Sequence, residues 1–324
     1  MMPQDSVRFA PAPSSKSRPH RVLVHGLAYF ARMFAELMNG DGWEFRYYDD
    51  SGFSNLACMT RDLYSCDIAY QIGGRVTLGK FLRVAKAMRK RKIIMHWVGS
   101  DVLDERKYIS SVKSSSWVLG NVHHWADSVW LAREVGALGI SCELIPLPSP
   151  LVPEFPSALP ANFSVLVYAP DINCGHLYGL DRILEVAREL PHIRFELVGL
   201  RNGSVPDPPP NLGINGRIPN LSEFYKHACV LWRPVRHDGL SFMVLEALGH
   251  GRHVLWSYDF PGCVRVDDTS GARAVISQLY SLHQEKRLHI NTAGVRAIAE
   301  GGYLPQALRS RIHKRLGEIL ESHS

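Results

Sequence analysis

The order of its apolar runs predicts that this chain is an α/β protein with two parallel, doubly wound sheets. Strand-length apolar runs alternate with helix-length stretches from residue 20 onward, the trace that β-α-β connections leave in a sequence. Pro146, Pro148, Pro150, Pro153, Pro156 and Pro160 interrupt that alternation midway and make a stiff linker. At 324 residues the chain can bury two cores of ordinary size. The expected parts are a leader at 1–19, a first domain at 20–150 and a second at 151–324.

The leader is rich in Pro and Ser, lacks apolar periodicity and is expected to be disordered. Arg21 to Gly26 then reads as a first strand entering a glycine turn, with Leu27 to Met38 as its helix. Trp43 to Tyr48, Asp67 to Ile72 and Lys92 to Val98 follow as strands with helical stretches between them. Ligands of such sheets gather beyond the carboxyl ends of the strands, so His25, Gly26, Gly73, Gly74, His96, Gly99 and Asp101 are the residues to watch. His96 and Trp97 would offer an imidazole and an aromatic face there, and Ser100 or Asp101 can cap a following helix. Asp49 and Asp50 lie in a polar turn with Ser51 and Gly52 and read as a solvated loop. Lys80 to Lys92 is a basic helix whose apolar side, Phe81, Leu82, Val84, Ala85 and Met88, suits a crossover helix lying on the sheet. The same composition suits weak peripheral contact with an anionic membrane.

Cys142 to Leu147 closes the first domain, and Phe163 to Ala169 opens the second, followed by a helix from Leu180 to Leu190 and a strand from Arg194 to Gly199. Leu221 to Ala228 reads as a helix, Cys229 to Trp232 as a buried strand, and helices fill Ala272 to Leu288 and Pro305 to Leu320. The most informative stretch is Arg233 to Gly251. A helix starting near Phe242 leaves its first N–H groups aimed into the preceding turn, where Gly239 permits close approach of a ligand and Ser241 can act as N-cap. An anion would sit well there. Asp238 and Glu246, with seven residues between them, can face one ligand from two sides, which suits a polyhydroxylated partner.

Composition narrows the classes. No run of eighteen apolar residues and no signal pattern is present, so a soluble cytoplasmic protein is expected. The six cysteines are scattered without metal-ligand spacing, and free thiols and no metal site are expected. His123 and His124 point to opposite faces of a strand and do not make a metal site alone. A formal charge of +6 suits anionic partners without choosing among nucleotide diphosphates, anionic lipid and nucleic acid. No G-x-G-x-x-G follows the first strand, which argues against a dinucleotide-dependent oxidoreductase.

Asp238, the seven residues after it, Glu246, and then Ala247 to Gly251 with the strand Arg252 to Trp256 resemble the E-x7-E segment of retaining, nucleotide-sugar-dependent glycosyltransferases of family 4. Pro234, Asp238, Gly239, Leu245-Glu246-Ala247 and Gly251 stand in register with that family's motif. The resemblance implies the GT-B architecture, two Rossmann-like domains facing across a cleft, with the acceptor on the first. It implies that Asp238 contacts the transferred sugar, that the backbone of Gly239, Leu240 and Ser241 holds the diphosphate, and that Glu246 holds the ribose. By the same resemblance His96 reaches the donor's sugar or phosphate, Gly216 belongs to the segment that meets the base, Gly26 lies in the first strand's turn, and the last helix often crosses back to the first domain. Val122 to Ser128 resembles the family's fifth strand, with Asp127 or Ser128 as N-cap of a helix from Val129 to Leu138. The implied partners are a sugar nucleotide as donor substrate and a glycan or small-molecule acceptor, with no nucleic acid, no cofactor and no metal.

One departure stands out. Where the family carries an Arg and a Lys that clamp the diphosphate, this chain has Pro170-Asp171 and Tyr178. Arg233 and Arg236, or Arg201 or Arg217, are candidates to replace that charge. The alternative is a non-catalytic protein of the same architecture that binds a sugar nucleotide, a glycan or a partner transferase.

Overall fold

The computed structural model describes residues 18–48, 56–90, 92–111, 115–200 and 205–322. Most of the expected leader, the Asp49-Asp50 turn and Arg201 lie outside the described residues. The first sheet is built from β1 (His20–Gly26), β2 (Trp43–Tyr47), β3 (Ile68–Ile72), β4 (Ile93–Trp97), β5 (His123–Ala126) and β6 (Glu143–Leu144), paired in parallel in the order β2-β1-β3-β4-β5-β6. Helices α1 (Ala28–Met38), α2 (Leu56–Ser65), α3 (Lys80–Ala87), α4 (Asp101–Arg106), α5 (Ser116–Asn121) and α6 (Val129–Ala137) connect them.

The second sheet repeats the principle. β7 (Ser164–Tyr168), β8 (Arg194–Val198), β9 (Leu212–Ile214), β10 (Val230–Arg233), β11 (His253–Trp256) and β12 (Cys263–Arg265) run parallel in the order β12-β11-β10-β7-β8-β9. Its helices are α7 (Leu180–Glu189), α8 (Ser222–His227), α9 (Phe242–Gly249), α10 (Thr269–Gln284) and α11 (Thr292–Glu300), and α12 (Pro305–Glu321) ends the chain. Central strands buried on both faces read as unbroken apolar runs, which is why their positions follow from sequence to within a residue or two. The short α5 and α11 lack a long apolar stripe and were not foreseen.

Each sheet buries both faces. Leu23, Ala69, Ile93 and Met95 point toward α2, α3 and α6, whereas Val22, Val24, Ile72 and Ile94 point toward α1. On the latter face α12 completes the layer. Leu308, Ile312, Leu316 and Ile319 recur at helical spacing and are buried, and Ile312, Leu316 and Ile319 join the first domain's core. Arg315 pairs with Glu143, and His313 Nε2 donates to the Met38 carbonyl at 2.9 Å. By packing, the end of the chain therefore belongs to the first sheet. α3 buries Phe81, Leu82 and Ala85 against that sheet and turns Lys80, Arg83 and Lys86 outward. Among the described residues no helix is long and apolar enough to cross a membrane.

Candidate functional site

A strand order that reverses direction opens a crevice where the two connections leave on opposite faces. In the first sheet this point lies between β1 and β3, and in the second between β7 and β10. Both open into one cleft of about 560 Å³ between the domains, within the range of roughly 300–1,000 Å³ usual for small-molecule sites. Leu27, Tyr29 and Phe30 follow β1 into it, Tyr168 ends β7 and Pro170 follows it, and Arg233 ends β10 with Asp238 on the turn beyond.

The turn from Arg233 to Ser241 is held rigidly. Arg233 Nε donates to Asp238 Oδ2 at 2.7 Å, and its guanidinium lies against the rings of Tyr168 and Tyr178, 5.6 and 5.9 Å from their centroids. Burial opposes the Arg233 charge, and the Asp238 carboxylate more than restores it, leaving the guanidinium pKa above its usual value. The Asp238 N–H donates to the Tyr258 hydroxyl at 3.0 Å, and its carbonyl accepts from Trp130 Nε1 of the first domain at 2.9 Å. Carboxylate, amide and carbonyl of this one residue are thus all anchored, which fixes where Asp238 presents its remaining acceptor sites. Ser241 occupies the N-cap position of α9 without a side-chain cap bond, so the helix start keeps N–H groups for an anion.

Glu246 lies one helical stretch further on and faces the same cleft. Its Oε1 accepts from Ser149 Oγ at 2.5 Å and its Oε2 from the Tyr225 hydroxyl at 2.6 Å. Burial raises its pKa, and the two hydroxyl bonds oppose that rise. The fixed carboxylate keeps two lone-pair sites for hydroxyls of a ligand.

Gly239 has a reason other than ligand approach. A side chain there would place its Cβ 2.5 Å from the Val98 carbonyl oxygen and 2.6 Å from Asp127 Oδ2, so glycine lets the second domain's turn dock onto the first. The Asp127 carboxyl group lies beside the Leu240 backbone amide across that contact, which works against the rise in its pKa. Trp130 stacks on Tyr258 with centroids 4.8 Å apart, Phe30 meets Phe242 edge-on at 5.3 Å, and His237 bonds Glu134 at 2.9 Å. Trp130 and Glu134 stand four residues apart, so α6 presents one face to the turn.

Several expected site residues lie elsewhere. His96 is fully buried, bonds the Tyr70 hydroxyl at 2.7 Å through Nδ1, and does not line the cleft; burial drops its pKa to about 3. It alternates with Ile94 onto the face covered by α1 and α12, so it is a core histidine. Trp97 is equally buried and donates to His124 Nδ1. His25 bonds Gln71 and stacks on Phe81. Gly26 serves close strand packing, since a Cβ there would fall 1.8 Å from the Ile72 oxygen. Arg236 is exposed and paired with Asp181 outside the cleft, so it supplies no charge to a ligand there. Gly216 adopts φ +56° and its carbonyl accepts from the Gly199 N–H at 2.6 Å, shaping the turn that carries Arg217 and Ile218 into the cleft. Among the described residues, Arg217 is the cleft arginine without an ion pair.

Asp101 and Asp127 complete the site from the first domain. Asp101 accepts N–H groups from Gly74, Val98, Gly99 and Val102 at 2.5 to 3.1 Å and so ties two loops together. Burial pushes its pKa up to about 6 despite those bonds. Asp127 is 4% exposed. Burial, with smaller contributions from the charges of Asp101 and Asp238, pushes its pKa up to about 8. The folded protein holds these protons more tightly than an unfolded chain, so protonation stabilises the fold. That contribution is full below the ordinary value of 3.8 and is lost as pH rises through about 6 and about 8. Between pH 7 and pH 9 the melting midpoint of the unsubstituted protein is expected to fall relative to that of Asp127→Asn, a comparison in which the buried histidines, whose lowered pKa values act in the opposite sense, cancel. A midpoint that rises relative to the variant across that window would contradict the burial of Asp127 as a protonated acid.

Asp127, Trp130, Ser149, Tyr225 and Tyr258 were not singled out as site residues. Asp127 alone carried a sequence signal, standing at the carboxyl end of a predicted strand; the others meet the site only through tertiary contacts. Among the described residues no group of three His, Cys, Asp or Glu side chains is placed to hold a metal ion.

No family model matches this chain, and no curated protein matches it in sequence. Solved structures do resemble it. HepE of Anabaena in complex with UDP is similar over 92% of this chain and 100% of its own, with a TM-score of 0.69 at 11% identity. Sucrose-phosphate synthase from Thermosynechococcus elongatus matches over 93% and 99%, with a TM-score of 0.68 at 11% identity. A glycosyltransferase from Rickettsia africae matches over 95% and 100%, with a TM-score of 0.65 at 12% identity. The chain therefore has the GT-B fold of these glycosyltransferases.

Proposed function

We propose that this protein is a glycosyltransferase that moves a sugar from a nucleoside-diphosphate donor to a glycan or small-molecule acceptor, with retention of configuration as in family 4. The observation that supports this reading most is that Asp238 and Glu246 both face the single cleft between the carboxyl ends of the two sheets, on either side of the start of α9. In the proposed complex Asp238 accepts hydroxyls of the transferred sugar, the N–H groups at the start of α9 meet the diphosphate, and Glu246 accepts the ribose hydroxyls. The departing phosphate takes the acceptor's proton, so the reaction requires no protein nucleophile and no metal ion. HepE, one of the structural neighbours, has been seen with UDP and with UDP-glucose, which makes UDP the first nucleotide to try.

The test pairs binding with turnover: UDP, GDP and ADP binding by calorimetry, and nucleoside-diphosphate release from the matching sugar nucleotides with a panel of acceptors. Binding with turnover supports the transferase. A second reading, a non-catalytic sugar-nucleotide or glycan binder, has its own support in Tyr178 and Pro170 standing where the family has cations, and in Arg233 being committed to Asp238. Tight binding without turnover for any donor and acceptor would favour it. Absence of nucleotide binding would remove the transferase and leave the second reading only as a glycan binder. Arg217→Ala is expected to weaken UDP binding about fivefold, roughly 1 kcal/mol, the scale of an exposed charge contact. Unchanged affinity would place Arg217 outside the nucleotide's reach.

A further inference from the structure

The segment that carries the chain from one domain to the other also reaches the proposed nucleotide site. Leu147 packs into the first domain's core and Val152 into the second's. Ser149 stands between them, flanked by Pro148 and Pro150 and only 1% exposed. A residue that precedes proline is held to extended backbone, which limits how far Ser149 can turn. Its hydroxyl has a fixed polarity. The oxygen accepts the Leu151 N–H at 3.3 Å, and the proton is donated to Glu246 Oε1 at 2.5 Å. At the other carboxylate oxygen Tyr225 of α8, fully buried, donates to Oε2 at 2.6 Å. Among the described residues Glu246 lines the cleft, and Ser149 and Tyr225 do not. Both hydroxyls therefore hold the carboxylate from behind and leave its open side to a ligand.

The last torsion of a glutamate side chain is broad, so a carboxylate without donors behind it must be ordered by its ligand, at a cost in binding. Two hydroxyls on neighbouring carbons also need both oxygens of an ionised group, with one acceptor site on each. Burial favours the neutral form of Glu246, and the bonds from Ser149 and Tyr225 oppose it. Removing the Ser149 donor therefore loosens the carboxylate and weakens its charge together, and the lone pair set free points to the linker rather than to the cleft. We infer that Ser149 is a positioning residue that aims Glu246 at the two vicinal hydroxyls of a ribose, and that the site thereby selects ribonucleoside over 2′-deoxyribonucleoside diphosphates. The inference rests on the nucleotide-sugar reading above and goes beyond it in making the interdomain linker part of the recognition site. A buried serine that merely fills space would have no such effect on the choice of sugar.

The experiment is calorimetric titration of the whole protein, Ser149→Ala and Ser149→Cys with UDP and with 2′-deoxy-UDP. The unsubstituted protein should prefer UDP by about tenfold or more, the scale of one hydrogen bond to a charged acceptor. In both variants the preference should fall to about threefold or less, with the larger loss on UDP, because the carboxylate is no longer aimed in advance. Cysteine nearly keeps the volume of serine but is a weak donor, so it separates the hydrogen bond from packing and carries the test should the alanine variant lose its fold. A full preference for UDP retained in Ser149→Cys overturns the role of Ser149 and leaves Glu246 and the nucleotide reading standing. Equal affinity of the unsubstituted protein for the two ligands removes the ribose from Glu246 and this inference with it, while nucleotide binding itself stands. Failure of the unsubstituted protein to bind UDP, GDP or ADP overturns the nucleotide reading and the inference together.

Discussion

Replacing Glu246 by alanine is expected to weaken UDP binding by roughly 1–3 kcal/mol, the scale of lost hydrogen bonds to a charged acceptor. The side chain sits where that loss is felt. It is 4% exposed, and each of its oxygens accepts one protein hydroxyl, so the carboxylate is aimed before any ligand arrives. A ligand hydroxyl therefore meets a pre-oriented acceptor and loses less entropy in binding. Alanine also leaves the Tyr225 and Ser149 hydroxyls without their acceptor, so the variant should melt at lower temperature; glutamine, which keeps the volume and one acceptor oxygen, should fall between. Calorimetry on folded protein checks the claim. UDP affinity unchanged in a folded Glu246→Ala protein would remove Glu246 from the nucleotide site.

Glu246 and Asp238 were legible in the sequence because their signal is local. A buried strand, a glycine-containing turn and an apolar helix follow one another within twenty residues, and the acids flank the helix start. The sheets were legible for the same reason, since strands buried on both faces announce themselves as apolar runs. That property also hides which face is which. His96 lies at a strand's carboxyl end, as a site residue should, but it shares its face with Ile94, and α12 from the far end of the chain closes over that face. Nothing near His96 in sequence reports that cover. Arg236 fails likewise: it was placed in the site by proximity to Asp238, and its partner Asp181 comes from the start of α7. The contacts that join the domains, Trp130 to Asp238 and Glu134 to His237, show only a helical spacing on α6 until the second domain is placed opposite.

Those contacts make the Asp238 turn a structural joint as well as a site, and they set the last expected result. Asp238→Ala should cost about 3–5 kcal/mol of stability, the usual consequence of removing one partner from a buried ion pair. Arg233 is 7% exposed at its side chain and Asp238 is 16% exposed. The tyrosine faces beside Arg233 cannot replace the lost carboxylate, since cation–π attraction is worth only about 0.5–2 kcal/mol. Urea unfolding of Asp238→Ala, Arg233→Met and the double variant separates the causes. If the unpaired guanidinium is what destabilises, adding Arg233→Met to Asp238→Ala should recover most of the loss, because a buried pair exchanged for apolar side chains is often nearly neutral. Turnover should behave differently. The double variant regains its fold but still lacks the carboxylate proposed to face the transferred sugar, so it should remain inactive toward any donor the unsubstituted protein uses. Activity returning together with stability would mean that Asp238 serves the joint alone, and the transferase reading would have to find its sugar contact elsewhere.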